Sequence, residues 1–189
     1  TQWGGSSLVQ ALAYRWSVQN QTYTPVYTNQ LIEANEALFI YTASNLNLTI
    51  PSANREHPIL GGSKSAEAHL ALVAKDLDSG MEQITYVGFN PDATDDYDLA
   101  HDAKFLQGYA PAFYSLSGTE AYLVNTLPAF QSDMEINLGF AKNEAAEFSI
   151  ELRETYGNGP VYLTDRKTET TVQLSEVGTY FFTSEDADL

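Results

Sequence analysis

The residues whose types and spacing are best suited to chemistry are the carboxylates Asp92, Asp95, Asp96, Asp98 and Asp102, crowded into one short segment. Hard oxygen ligands at such spacing are what a calcium ion takes, and the cation's charge would draw the loop together. The glycine and terminal glutamate of an EF-hand loop do not stand in their places. Asp and Asn near a proline also build Asx-turns and caps, by accepting hydrogen bonds from nearby backbone N–H groups. That second chemistry explains Asn90, Asp92 and Asp95 without metal, and no metal ligand is assigned.

His57, His69 and His101 are the only imidazoles. No two share the i, i+4 or H-x-H spacing that would bring them to one metal, so they read as individually solvated or hydrogen-bonded. With no cysteine in the chain, thiolate nucleophiles, zinc-thiolate sites and disulfides are excluded. There is no G-x-S-x-G elbow, and Leu116-Ser117-Gly118-Thr119 reads as a hairpin turn. Paired carboxylates for glycoside hydrolysis find no support, because acidic residues at alternate strand positions are the ordinary solvated face. No catalytic, cofactor-binding or metal residue is assigned, and the chain is expected not to be an enzyme. The remaining candidates are Trp3, Trp16, Tyr23, Tyr27 and Tyr41, whose rings would stack on sugars or dock a partner strand if exposed, and fill a core if inward. Core filling is the preferred reading.

The elements that must position these residues are strands. In Ala146 to Arg153 the even positions are apolar and the odd ones polar, so one face goes inward. Met134 to Phe140 alternates likewise, and the Lys142-Asn143-Glu144 tip predicts an antiparallel hairpin between the two. Glu67 to Asp76 presents Ala68, Leu70, Leu72 and Ala74 on one side, then Asp78-Ser79-Gly80 turns the chain into Gln83 to Phe89. Further strands are expected at Val9 to Trp16, Thr22 to Thr28, Ala37 to Thr42, Leu46 to Ile50, Ala121 to Asn125, Val161 to Thr164, Thr170 to Leu174 and Thr179 to Thr183. Only Ala93 to Lys104 offers a helical turn or two. Gly61-Gly62-Ser63-Lys64-Ser65 predicts a seam, with an N-terminal β-unit over residues 1–62, incomplete at its start, and a C-terminal sandwich over residues 63–189.

Composition narrows the partners. The formal charge of -16, from 9 basic and 25 acidic side chains, repels phosphate backbones and anionic bilayers, so neither nucleic acid nor membrane insertion is expected. Hydrophobic residues make up 43% of the chain, which argues for a folded core rather than disorder. No apolar run is long enough to span a bilayer, and Thr1-Gln2-Trp3-Gly4-Gly5 has no signal-peptide character, so the chain is expected to be mature protein or an internal fragment.

An ordered series of motifs carries a family resemblance. It runs through Ile50-Pro51-Ser52-Ala53-Asn54-Arg55-Glu56-His57, Phe89-Asn90-Pro91-Asp92-Ala93-Thr94-Asp95-Asp96-Tyr97-Asp98, Asp102-Ala103-Lys104, Pro111-Ala112-Phe113-Tyr114-Ser115-Leu116-Ser117-Gly118 and Val124-Asn125-Thr126-Leu127-Pro128. This series resembles a β-rich module found in large secreted proteins of Bacteroidetes, just ahead of the sorting domain for type IX secretion. The aromatic pair Ala13-Tyr14-Arg15-Trp16-Ser17 and Thr22-Tyr23-Thr24-Pro25-Val26-Tyr27, and the closing Val161 to Thr168 with Tyr180-Phe181-Phe182-Thr183, are similar to the ends of that module. Glu33-Ala34-Asn35-Glu36 stands where the family has a proline-glycine turn. These motifs are signatures of turns and packing and contain no chemistry.

The resulting expectation is an all-β fold: an antiparallel β-sandwich of immunoglobulin-like or jelly-roll character with a smaller N-terminal β-unit. The resemblance implies a non-catalytic structural or adhesive module, extracellular or at the cell surface. Its partners would be other surface proteins, neighbouring domains of the same polypeptide, or itself. A self-assembling filament or surface-layer subunit and a polysaccharide-binding module are the alternatives. No cofactor is expected.

Overall fold

The computed structural model describes residues 9–27, 30–33, 36–49, 69–155, 157 and 159–185. In chain order the elements are β1 (Val9–Ser17), β2 (Thr22–Val26), β3 (Leu38–Thr42), β4 (His69–Asp76), β5 (Glu82–Phe89), β6 (Ala103–Lys104), β7 (Ala112–Ser117), β8 (Glu120–Leu127), β9 (Asn137–Ala141), β10 (Glu147–Glu154), β11 (Tyr162–Asp165), β12 (Thr170–Gln173), the one-turn helix α1 (Leu174–Val177) and β13 (Thr179–Thr183). The fold is all-β, as expected. A three-stranded antiparallel sheet runs β2-β1-β3. An eight-stranded sheet runs β13-β10-β4-β5-β8-β7-β9, with β6 pairing β8, and β11 and β12 form a separate hairpin.

Two departures from the expected topology define the large sheet. First, it is mixed: β5 and β8 pair in parallel, Tyr86 opposite Val124 and Phe89 opposite Leu127. A parallel pair needs a crossover, and residues 90–119, including the acidic loop, supply it. Second, β9 and β10 do not form a hairpin. Instead β9 pairs β7 at one end of the sheet, while β10 lies between β4 and β13 near the other end. The short connection over residues 142–146 can join strands so far apart in the sheet order only if the sheet curls. Consistent with that curl, Phe140 of β9 meets Phe148 of β10 and Phe182 of β13, with ring centroids 5.0 and 4.9 Å apart.

The centre of the sheet is covered on both faces. Ala71, Leu72, Val73 and Ala74 of β4 are all buried, so this strand reads as a continuous apolar run rather than the one-sided alternation expected of it. Leu72 and Ala74 join Phe113, Ile150 and Leu174 in one cluster, with Leu163 and Val172 of the β11–β12 hairpin packed against it. Tyr86 stands opposite Ala71, and therefore on the other face from Leu72. It packs against a second cluster, which joins Leu12 and Tyr14 of β1 to Ala103, Leu123 and Val124 of the large sheet.

The N-terminal sheet is thus bonded to the large sheet along a shared core. Ala11 donates its amide to the Leu99 carbonyl at 2.8 Å, Tyr109 to the Gln21 carbonyl at 2.7 Å, and the Thr22 hydroxyl bonds Gln83. Gly108 is required at this joint. A Cβ there would fall inside the van der Waals envelope of the Gln21 carbonyl and the Thr22 Cα. The seam predicted over residues 61–65 lies outside the described residues.

Local chemistry accounts for the other differences. Leu46 to Thr49 is not a strand, and position 50 lies outside the described residues. Residues 93–102 form bends and turns rather than a helix, and then enter β6. The Asp78-Ser79-Gly80 turn forms as expected, with Gly80 at φ 77°. Four groups converge on the fully buried Asp76 carboxylate: the Ser79 amide and hydroxyl, both at 2.6 Å, the Gly80 amide at 3.2 Å and Asn143 Nδ2 at 2.8 Å. Burial opposes its ionisation, but these donors outweigh it and hold the carboxyl below the usual range.

Candidate functional site

The acidic segment does not converge. Asp92, Asp95 and Asp96 are exposed, whereas Asp102 is buried. Asn90 Oδ1 accepts the Asp92 amide and Asp98 Oδ1 the Ala100 amide, each at 2.9 Å. The Asx bonds therefore come from Asn90 and Asp98 rather than from Asp92 or Asp95. Asp102 accepts the Asp98 amide at 2.8 Å on one oxygen and the Thr126 amide at 2.7 Å on the other. Burial pushes this carboxyl up to about 6, and the two amides only partly offset that rise. Among the described residues, no three His, Cys, Asp or Glu side chains come together as a metal site.

The imidazoles act singly where they are described. His69 Nε2 lies 2.8 Å from Glu154, and its ring meets Tyr86 edge-on at 5.3 Å. The carbonyl of His101 accepts the Thr126 hydroxyl at 2.9 Å. His57 lies outside the described residues, as does Trp3.

The N-terminal rings lock into one another rather than lying in a row. Trp16 packs edge-on against Tyr23 at 5.0 Å and Tyr109 at 6.4 Å, and Tyr23 packs edge-on against Phe39 at 5.2 Å. Tyr41 meets Tyr97 at 86°, and Tyr27 packs on the shared core. This is the geometry of aromatic packing, not of a coplanar sugar platform. Gln10, which sequence reasoning missed, completes this region. Fully buried, it accepts the hydroxyls of Tyr97 at 2.9 Å and Tyr14 at 3.3 Å and gives its own N–H to the Leu12 carbonyl at 2.7 Å. Burial pushes the Tyr14 hydroxyl up to about 12.

A concavity lies elsewhere, beneath the β11–β12 hairpin. It is a groove of about 1240 Å³, floored by Phe113, Phe140, Ile150 and Phe182. Both end strands of the large sheet, β9 and β13, border it. The hairpin tip straps across them. On the β13 side, Tyr180 donates its hydroxyl to Asp165 at 2.8 Å. On the β9 side, Arg166 bonds Glu135 and, at 3.1 Å, Asn137 Oδ1. Asp165 also accepts the amides of Lys167 at 2.8 Å and Thr168 at 3.2 Å, which shape the turn. Burial raises the pKa of this carboxyl, but the Tyr180 hydroxyl and the turn's donors outweigh it and hold the group below the usual range. Polar and charged side chains therefore stand at the mouth, and the floor is apolar. No sequence motif marked this groove. Its one legible trace is Arg166-Lys167, the only adjacent basic pair in a strongly acidic chain.

An all-β protein with an apolar-floored groove between its sheet ends is the class the structure defines. Residues 12–189 match the family described as Domain of unknown function (DUF8693), and the chain belongs to that family. No curated protein matches it. No solved structure matches it either.

Proposed function

We propose that this chain is a non-catalytic structural or adhesive module of a secreted or cell-surface protein, exported by type IX secretion and working through contacts to other surface proteins or to neighbouring domains. The observation that carries the reading is how the polar interior is used. The buried carboxylates Asp76 and Asp102 hold turns and loops in place, while the groove beneath the β11–β12 hairpin offers an apolar floor suited to contact rather than to bond cleavage. The layered core supports a sandwich-like body, with the N-terminal sheet against one face of the curled sheet and the hairpin against the other. The test is to fractionate the native host and label whole cells with an antibody against this chain. Protease-accessible antigen on the cell surface or in the medium, lost when type IX export is disabled, is the expected result. Antigen confined to the cytoplasm overturns the proposal.

A filament or surface-layer subunit is the second reading, favoured by apolar side chains on two end strands. Phe39 and Tyr41 of β3 are 50% and 42% exposed, and Phe181 of β13 is 65% exposed. Strands that are outermost among the described residues, with exposed aromatics on separate sheets, would join head to tail. A polysaccharide module is the third reading. Binding of soluble glycans that is lost in Tyr109→Ala, an exposed ring beside Trp16, would favour it over the other two.

A further inference from the structure

Resting on the adhesive-module reading, we infer that the aromatic margin of the small sheet docks an arginine-bearing segment of a protein partner, its guanidinium groups lying on the ring faces. The rings are Trp16, Tyr23, Phe39 and Tyr109.

Strand register brings them together. Trp16 stands opposite Tyr23, and Tyr14, two residues back on β1, stands opposite Phe39. Directly opposed residues share a face, as do alternate residues of one strand. Tyr14, Trp16, Tyr23 and Phe39 therefore lie on one face of the three-stranded sheet. Burial is uneven along it. Leu12 and Tyr14 are buried in the shared core, whereas Trp16 and Tyr23 are half-buried and Phe39 is 50% exposed. Tyr109 of the crossover joins this margin, 70% exposed and edge-on to Trp16.

Three observations make the occupant cationic. The first is a contact of the same kind within the chain. Tyr41, two residues along β3 from Phe39, meets Tyr97, and Lys104 Nζ stands 4.8 Å from the Tyr97 ring centroid. The negative face of an aromatic ring attracts a cation in this way, Trp and Tyr most strongly. The second is that the sheet keeps its own cation away from these rings. Arg15 is the only basic residue of β1, β2 and β3, and alternation turns it to the opposite face, where Glu36 holds it.

The third is charge. Asn143 bonds the Tyr109 carbonyl at 3.4 Å, and its sequence neighbours Lys142 and Glu144 cancel one another. The field that a partner meets at this margin is then that of the whole chain, at -16, which draws in a basic segment and repels an acidic one. Arginine suits the rings better than lysine, because its planar guanidinium stacks on them and is more weakly hydrated.

The test uses the purified chain and a short fluorescent peptide alternating Arg and Ser. Polarisation should show saturable binding. It should weaken by about tenfold or more when citrulline, an uncharged isostere, replaces Arg. Tyr109→Leu and Phe39→Leu keep an apolar side chain but lose the ring face, and each should weaken binding by about threefold. Tyr109→Phe should bind nearly as wild type does. Glu169→Gln, on the β11–β12 hairpin, removes one negative charge away from the rings and should change nothing. Unaltered near-ultraviolet circular dichroism apart from the lost ring would show that the fold is kept. No binding at millimolar peptide, equal binding of the Arg and citrulline peptides, or Leu variants that bind as wild type does overturns the inference. So does retention of an uncharged soluble glycan without retention of the Arg peptide, which favours the polysaccharide reading. Failure here with the antigen still found at the cell surface leaves the module reading standing, whereas antigen confined to the cytoplasm removes that reading whatever the peptide does.

Discussion

The Asp102 carboxylate accepts the amide of Thr126 at 2.7 Å, and Thr126 lies opposite Gly88 in the parallel pair of β5 and β8. One buried side chain thus ties the acidic loop of the crossover to β8, a strand of the parallel pair that makes the sheet mixed. It is a structural carboxylate in a segment whose composition suggests a cation site.

The burial of Asp102, which the two amides only partly offset, predicts an unusual pH dependence. Asp102 titrates at about 6 in the folded chain, against an unfolded value near 4. Between those values the folded chain holds the extra proton. The stability it contributes is therefore complete below about pH 4 and is lost as pH rises through about 6, by about 3 kcal/mol. Urea unfolding of the wild type and Asp102→Asn across this range should show the gap between them shrinking by about that amount as pH rises. A gap that stays constant or widens contradicts the assignment.

Asp76 predicts the opposite limb. Its folded pKa is depressed, so its contribution is complete above the unfolded value near 4 and is lost as pH falls through the lower folded one. Asp76→Ala removes a fully buried acceptor of four hydrogen bonds and should cost about 3 kcal/mol at neutral pH. The acid side of its stability curve should flatten relative to wild type.

Two glycines should respond unequally to alanine. At Gly108 the new methyl meets the backbone of Gln21 and Thr22, which cannot give without parting the two sheets. At Gly139 it meets the ring of Tyr114, a half-buried side chain that can turn aside. Gly108→Ala should cost about 3 kcal/mol or more and Gly139→Ala about half that, read from thermal or urea unfolding. Limited proteolysis of Gly108→Ala should release the N-terminal sheet first.

The strap over the groove separates packing from latch. Phe182→Ala removes a ring that contacts Phe140, Phe148 and Tyr180 and should cost about 3 kcal/mol. Arg166→Ala breaks an exposed ion pair and an exposed hydrogen bond to Asn137 and should change global stability by less than about 1 kcal/mol. Hydrogen exchange at residues 162–173 should nevertheless quicken in Arg166→Ala, because the hairpin tip loses its tie to the β9 side.

Local pattern revealed the strands and hid how they pair. Alternation marked β10, and the Asp-Ser-Gly turn marked the β4–β5 hairpin, because both signals sit within a few neighbouring residues. The partner of β9 was misread because Lys142-Asn143-Glu144 has the composition of a hairpin tip, while the strands on either side belong to opposite ends of a curled sheet. Pairing across the curl is set by Phe140, Phe148 and Phe182, residues far apart in sequence. The β7 strand passed unassigned, and α1 is a single turn closed by Gly178 at φ 75°, too short to show a helical period. The acidic loop drew attention through composition, whereas Gln10, a buried amide serving two tyrosines, had no local signal at all. The groove was equally illegible, since it exists only where the two ends of the sheet and a later hairpin meet.

The pairing of β4 with β10 also sets an order of events as the chain folds. The β4–β5 hairpin can close at once, but residues 77–146 separate β4 from β10, and β13 needs β10 in place first. Until then β4 stands open along one side, with Leu72 and Ala74 uncovered. Long-range pairings of this kind place folding in the range of about milliseconds to seconds. A chain emerging from a ribosome therefore carries an open apolar strand until its last third arrives, and that interval is when it is most exposed to aggregation.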